Sequence, residues 1–204
     1  MNLRQVAFTG CLASLLAACS IGRPMPQATT YIVDPPIEAR VPSAPHRPEV
    51  LRVGSVRVAA PYAGSALVYR LDDVRYVTDP YNAFVADSGA ILASRMADWL
   101  GRTGPFSTIV PPASTQPAPF VLEVSIGDLY GDFRGGQAPA AVVSMQFILI
   151  DQASPRRKVT YERTLVSRVQ LPKASPDALV RGYGTAIAEI LSQVAADLNS
   201  IPAP

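Results

Sequence analysis

Few residues in this chain could do chemistry. Its 204 residues include two cysteines, Cys11 and Cys19, and one histidine, His46. A single histidine beside Pro45 cannot supply a Ser-His-Asp or Cys-His relay, and it reads as a solvated linker residue. Two cysteines cannot build a disulfide-dense scaffold or a four-cysteine zinc site. There is no Gly-x-Ser-x-Gly elbow, Walker phosphate loop or His-Glu-x-x-His helix. Asp128 and Asp132 flank Tyr130 and suggest a carboxylate pair or cation loop, but the segment lacks calcium-loop spacing. It reads instead as a strand terminus and wide turn running into Gly135-Gly136. Arg156-Arg157-Lys158 could touch an anionic headgroup, although a solvated hairpin tip is the favoured reading. No catalytic residue, metal ligand set or cofactor is expected. What remains is the thiol of Cys19, the strong nucleophile that follows Leu16-Ala17-Ala18.

The residues ahead of Cys19 explain that placement. Arg4 lies in a short polar start, and Val6 to Ala18 is then apolar and small. Such a run is shorter than the ~20 residues of a spanning helix but fits the h-region of a secretory signal. Leu16-Ala17-Ala18-Cys19 resembles the bacterial lipobox, in which the cysteine is joined to a diacylglycerol by a thioether and becomes the N-terminus. The alternative is a plain signal peptide with a chance cysteine. Under the lipobox reading Cys11 is discarded, Cys19 carries the lipid, and the mature protein has neither free thiol nor disulfide. Ser20, where an Asp commonly retains Gram-negative lipoproteins in the inner membrane, implies by that resemblance the outer membrane, facing the periplasm.

Behind Cys19 the composition is that of a linker followed by a globular unit. Residues 20–48 hold seven of the 20 prolines, which predicts a semi-extended tether. Tyr31-Ile32-Val33 is its one apolar island and could dock as a short edge strand. The expected organisation is therefore a signal peptide over 1–18, a lipidated tether over 19–48 and one domain over 49–204. With 49% hydrophobic and 17% charged residues and a net charge of +2, the chain can bury a core. That balance excludes a strongly basic nucleic-acid binder.

Alternation predicts strands at Val50–Ala60, Leu67–Leu71, Val74–Thr78 and Phe106–Val110, with Asp79-Pro80 breaking the sheet. Three long strands follow. Each carries one apolar face to be buried, Phe120/Leu122/Val124/Ile126, Val143/Met145/Phe147/Leu149 and Val159/Tyr161/Leu165, the last two strands joined by a hairpin at Asp151–Arg157. Asp87 or Ser88 caps a helix to about Arg102, and Ser175-Pro176-Asp177 starts a second with a stripe from Leu179 to Leu198. The fold class is α+β: a mostly antiparallel sheet with two helices packed on one face. Tyr76, Tyr81 and Phe84 then fall between the third strand and the first helix. Loop aromatics mark contact surfaces, unless one or two simply plug the junction.

These segments resemble the auxiliary lipoproteins of ABC-type transport systems that work with MCE proteins. The resemblance rests on Cys19 and the tether, Leu51-Arg-Val-Gly-Ser-Val-Arg-Val and Val68-Tyr-Arg-Leu. It is most specific at Tyr76-Val-Thr-Asp-Pro-Tyr-Asn-Ala-Phe, followed by Trp99-Leu100 and Gly104-Pro-Phe. It implies a non-enzymatic, outer-membrane-anchored partner of a system moving lipids, sterols or solvents between membranes. Cys19 would be the lipidated residue, and a surface bearing Tyr76, Tyr81 and Phe84 would meet an MCE-family protein. Analogy with ring-forming partners leaves a homo-oligomer open. A structural or assembly lipoprotein, or a lipid carrier with its own cavity, are the other readings.

Overall fold

A computed structural model of the protein describes residues 27–37 and 47–201. Cys19, Ser20, His46 and the segment 1–18 expected to be a signal peptide lie outside them. Eight strands and two helices follow in order: β1 (Thr29–Tyr31), β2 (Arg47–Val58), a 3-10 turn (Ala60–Tyr62), β3 (Ala66–Arg70), β4 (Tyr76–Phe84), α1 (Ser88–Thr103), β5 (Phe106–Val110), β6 (Phe120–Asp132), β7 (Ala140–Asp151), β8 (Lys158–Gln170) and α2 (Pro176–Ser200). The α+β class is as expected.

The long ladders β6–β7 and β7–β8 are antiparallel, as is β3–β4. The sheet is nevertheless mixed, since β2 and β3 both run parallel to β6 along one edge of it. The Phe120 half of β6 takes β2 and its last residues take β3. The 3-10 turn bridges the two tracks, and Ala59 N–H donates to the Ile126 carbonyl at 2.9 Å just before it. Beyond that point β2 carries β5 and β3 carries β4 and β1, so the sheet forks. A register shift after Ile126 inverts the pleat, which hands the core-facing role from Ile126 to Leu129.

Both helices cover one face, α1 against β2 and β5 and α2 against β7 and β8. The stripes named from sequence on β6, β7 and α2 are all buried, whereas Val159 on β8 is exposed. Asp87 caps α1 by accepting from Ala90 N–H at 3.1 Å, and Ser175 does the same for α2 from Ala178 N–H at 3.4 Å. Tyr183 sits at the centre of the core, 1% exposed, with its ring 6.2 Å from that of Phe84. Its hydroxyl is buried without a hydrogen-bond partner among the described residues, and burial pushes its pKa well up. Stranding a hydroxyl costs about 1–3 kcal/mol. Tyr183→Phe is therefore expected to leave stability unchanged or raise it by about 1 kcal/mol in urea denaturation; a loss of that size would show that the hydroxyl has a partner.

Part of the segment expected to be tether is built into the domain. β1 pairs parallel with β4 (Tyr31 opposite Phe84), and the next six residues strap across both helices. Val33 and Pro35 are buried. Trp99 Nε1 donates to the Pro36 carbonyl at 3.1 Å, and the Arg95 guanidinium lies 3.6 Å from Asp34. On the α2 side the strap comes so close that a Cβ at Gly184 would stand 2.9 Å from the Asp34 carbonyl oxygen.

Candidate functional site

The aromatic segment between β3 and α1 is not a loop. β4 runs through Asp79-Pro80, and four of its residues bulge opposite Leu67, between the Val68–Thr78 and Ala66–Ala83 pairs. Asp79 replaces the missing ladder. Its carboxylate accepts from Tyr81 N–H (2.8 Å), Asn82 N–H (3.0 Å), Asn82 Nδ2 (2.9 Å) and the Tyr69 hydroxyl (2.6 Å). Burial pushes this carboxyl up, but the hydrogen bonds from Tyr69, Tyr81 and Asn82 outweigh it and hold it below the ordinary range. Pro80 is tolerated because a bulge asks nothing of its missing N–H.

The bulge separates the three aromatic side chains proposed as one surface. Phe84 is a correction: it is buried against Tyr183, 4% exposed, because the resumed ladder points it toward the helices. It serves the core, and truncating it would test stability rather than contact. Tyr76 stands on the opposite face of the sheet. There Tyr62 and Tyr130 stack at 5.8 Å, and the Tyr76 ring meets Tyr130 edge-on at 5.4 Å. The Arg70 guanidinium lies 5.7 Å over the Tyr76 ring, and the Tyr62 hydroxyl donates to Asp128 at 3.2 Å. Tyr81 is exposed farther along β4, beside the entry to β1.

Asp128 and Asp132 lie within β6 rather than in a turn. Asp132 is 1% exposed and holds two arginines: Arg134 Nε and Nη2 donate at 2.9 Å each, and Arg168 Nη1 at 2.7 Å. Arg134 also reaches Asp73 at 3.0 Å, which ties the β3–β4 turn to the end of β6. Hydrogen bonding from Arg134, opposed by burial and reinforced by Arg168, holds the Asp132 carboxyl well below the usual range. This is a structural clasp. Arg156, Arg157 and Lys158 are exposed at the β7–β8 hairpin, where Arg157 takes φ 45°.

Exposed apolar side chains gather on one margin of the molecule. Of nine large hydrophobic residues exposed among those described, six are Ile32, Val74, Tyr76, Val77, Tyr81 and Val85, on β4, the turns that flank it and the segment after β1. Ile32 and Val85 were not singled out by sequence reasoning; the signal available was the apolar island Tyr31-Ile32-Val33. Among the described residues no group of three or more Asp, Glu, Cys or His could hold a metal ion, and no helix is long and apolar enough to cross a membrane. Two shallow grooves, of about 440 and 410 Å³, are open to solvent. One crosses the uncovered face of the sheet at Arg57, Ser125, Gln146 and Thr164, and the other lies beside the start of α1 at Val56, Ala90 and Pro112.

The model of one protein family, described as the ABC-type transport auxiliary lipoprotein component, matches residues 31–195. Among solved structures, a Xanthomonas campestris protein, XCC0632, of the DUF330 family aligns with a TM-score of 0.66 at 14% identity, covering 84% of this chain and 93% of its own. An uncharacterized protein aligns with a TM-score of 0.62 at 20% identity over 85% and 97% of the two chains. The hypothetical protein CT253 of Chlamydia trachomatis gives 0.50 at 12% identity over 76% and 98%. At these identities the likeness is one of fold. No curated protein sequence matches the chain.

Proposed function

The chain belongs to the ABC-type transport auxiliary lipoprotein family, and from that premise we propose that it is a non-catalytic, periplasm-facing component of an MCE-type system moving lipids or related hydrophobic molecules between inner and outer membranes. The observation that carries this reading is the extent of the family match, which spans the folded unit from β1 into α2. In it, Cys19 is acylated and holds the domain at the outer membrane, with Ser20 behind it. The domain then offers a binding surface rather than a reaction centre.

The Tyr76 end of β4 is the surface best suited to a protein partner. β1 covers β4 only at Asn82–Phe84, so the outer edge at Tyr76–Thr78 is unpaired among the described residues. An unpaired edge accepts a partner strand, and Tyr76, braced from below by Tyr130 and Arg70, supplies a rigid aromatic anchor. A lipid carrier in its own right would need an enclosed apolar cavity. The grooves beside α1 and on the sheet face are open, and the one on the sheet face is lined by Arg57, Ser125 and Gln146.

Lipidated protein extracted in mild detergent is expected to co-purify with an MCE-family subunit. Tyr76→Ala is expected to weaken that recovery about tenfold, the effect of losing one central aromatic anchor. If the wild-type protein brings down no MCE-family subunit, the transport reading should be abandoned.

A further inference from the structure

We propose that the face bearing Tyr81, Ile32 and Val85 rests on the lipid surface of the membrane that holds Cys19; the proposal relies on Cys19 being the anchored residue. Register places Ile32 and Val85 side by side, and Tyr81 follows along the same margin. Tyr31 and Phe84 are paired and Phe84 points into the core, so Ile32 and Val85, one residue further along each strand, turn to the opposite side. Val85 N–H donates to the Tyr31 carbonyl at 2.9 Å, which keeps the two segments side by side there. Thr29 pairs with Asn82, so Tyr81 lies beside the chain just before it enters β1. Ile32, Val85 and Tyr81 are 52%, 56% and 45% exposed. The nearby carboxylate of Asp79 is spent on Tyr69, Tyr81 and Asn82.

Chain length chooses the occupant. Nine residues lie between Cys19 and Thr29, and the ten steps from one to the other, at ~3.3–3.6 Å each, reach at most about 35 Å. Because residues 29–37 are built into the fold, no further slack lies between anchor and domain. A domain of this size is itself roughly 40 Å across. The margin at β1 is therefore confined near the bilayer at millimolar effective concentration, where a small patch suffices for docking. A tyrosine flanked by aliphatic side chains suits the headgroup boundary, since its ring is apolar and its hydroxyl stays wet. Tyr76, farther along β4 on the sheet face, remains available to a protein partner.

Trp99 is the single tryptophan and is buried, so a second one makes a clean reporter. Tyr81→Trp and Val85→Trp would be compared with wild type and with Val159→Trp, on the opposite edge strand. Each mature chain would be coupled through the Cys19 thiol to a maleimide lipid in phosphatidylethanolamine–phosphatidylglycerol vesicles containing dibrominated phosphatidylcholine. The acylated proteins purified from membranes would be reconstituted in the same vesicles. Quenching of the Tyr81→Trp and Val85→Trp chains at least twice that of wild type, with the Val159→Trp chain unchanged from wild type, is the expected result. Quenching no greater for Tyr81→Trp and Val85→Trp than for Val159→Trp overturns the proposal. So does a blue shift that grows with protein concentration in the absence of vesicles, which would assign the patch to a second copy. Absence of acyl mass on Cys19 in protein from membranes overturns the lipidation reading and the proposal with it, whereas acyl mass on Cys19 together with Tyr81→Trp and Val85→Trp quenching no greater than that of Val159→Trp overturns the proposal alone.

Discussion

Asp132→Ala is expected to lower the stability of the domain by about 3 kcal/mol at neutral pH, a fall in melting temperature of roughly 6–12 °C for a domain of this size. The carboxylate is 1% exposed and neutralises two arginines that arrive from different elements: Arg134 from the turn after β6 and Arg168 from β8. Removing one partner of a buried pair typically costs ~3–5 kcal/mol because the other is left buried and uncompensated. Here the arginine side chains are 21% and 43% exposed and can partly rehydrate, so the lower end applies. Asp132→Asn, which keeps an acceptor and loses the charge, should fall between wild type and alanine. The sign of the pH dependence follows from the depressed carboxyl of the folded state. A group held below its unfolded value, near ~4 for Asp, contributes stability above that value and loses it as pH falls further. The gap between wild type and Asp132→Asn should therefore narrow from pH 7 to pH 3 in urea denaturation. A variant within 1 kcal/mol of wild type at pH 7, or a gap that widens in acid, would show that the clasp is not what joins β6, β8 and the β3–β4 turn.

The same clasp shows where local pattern stops being informative. Asp132 sits at the end of a strand before Phe-Arg-Gly-Gly, and that context reads as a turn; one arginine is two residues away but the other is 36. Long alternating runs were legible, because a side-chain period of two over ten or more residues admits one buried face. The buried stripes of β6, β7 and α2 follow directly from it. Helix starts were legible for a similar reason, since Asp87 and Ser175 each satisfy an orphan N–H three residues on. Topology was not. Nothing local tells β2 and β3 to share one edge of β6, which is what adds parallel pairs to the long antiparallel ladders. The strap was hidden for a different reason: six residues rich in proline carry too little periodicity to show that Val33 and Pro35 are buried.

For the candidate surface, residue type carried the reading part of the way. Aromatics among turn-forming residues did point to the β4 margin, where Tyr76 and Tyr81 are exposed. The strand phase after the Asp79 bulge decides that Phe84 instead enters the core, and that phase depends on four hydrogen bonds to one carboxylate. Ile32 and Val85 became visible only through the β1–β4 register.

Cys19→Ser is expected to abolish acylation and to leave no processed protein in the membrane fraction. A serine hydroxyl is far less nucleophilic than a thiolate and cannot form the thioether. Each buried methylene of an acyl chain contributes ~0.8 kcal/mol, so one chain of about fourteen methylenes is worth on the order of 10 kcal/mol, and two make attachment effectively permanent. Among the described residues no helix is long and apolar enough to span a bilayer, and the Tyr81 margin offers a few side chains. That margin can dock only while the tether keeps it close, which makes lipid contact conditional on the anchor. Releasing the domain should also weaken capture of a membrane-associated partner by ~10²–10⁴-fold, since the second contact is no longer intramolecular. Intact mass of membrane-extracted wild type should show residues 1–18 removed and acyl mass on Cys19. A Cys19→Ser chain found processed and still membrane-bound would mean that the attachment lies elsewhere, and with it the orientation inferred for β1 and β4.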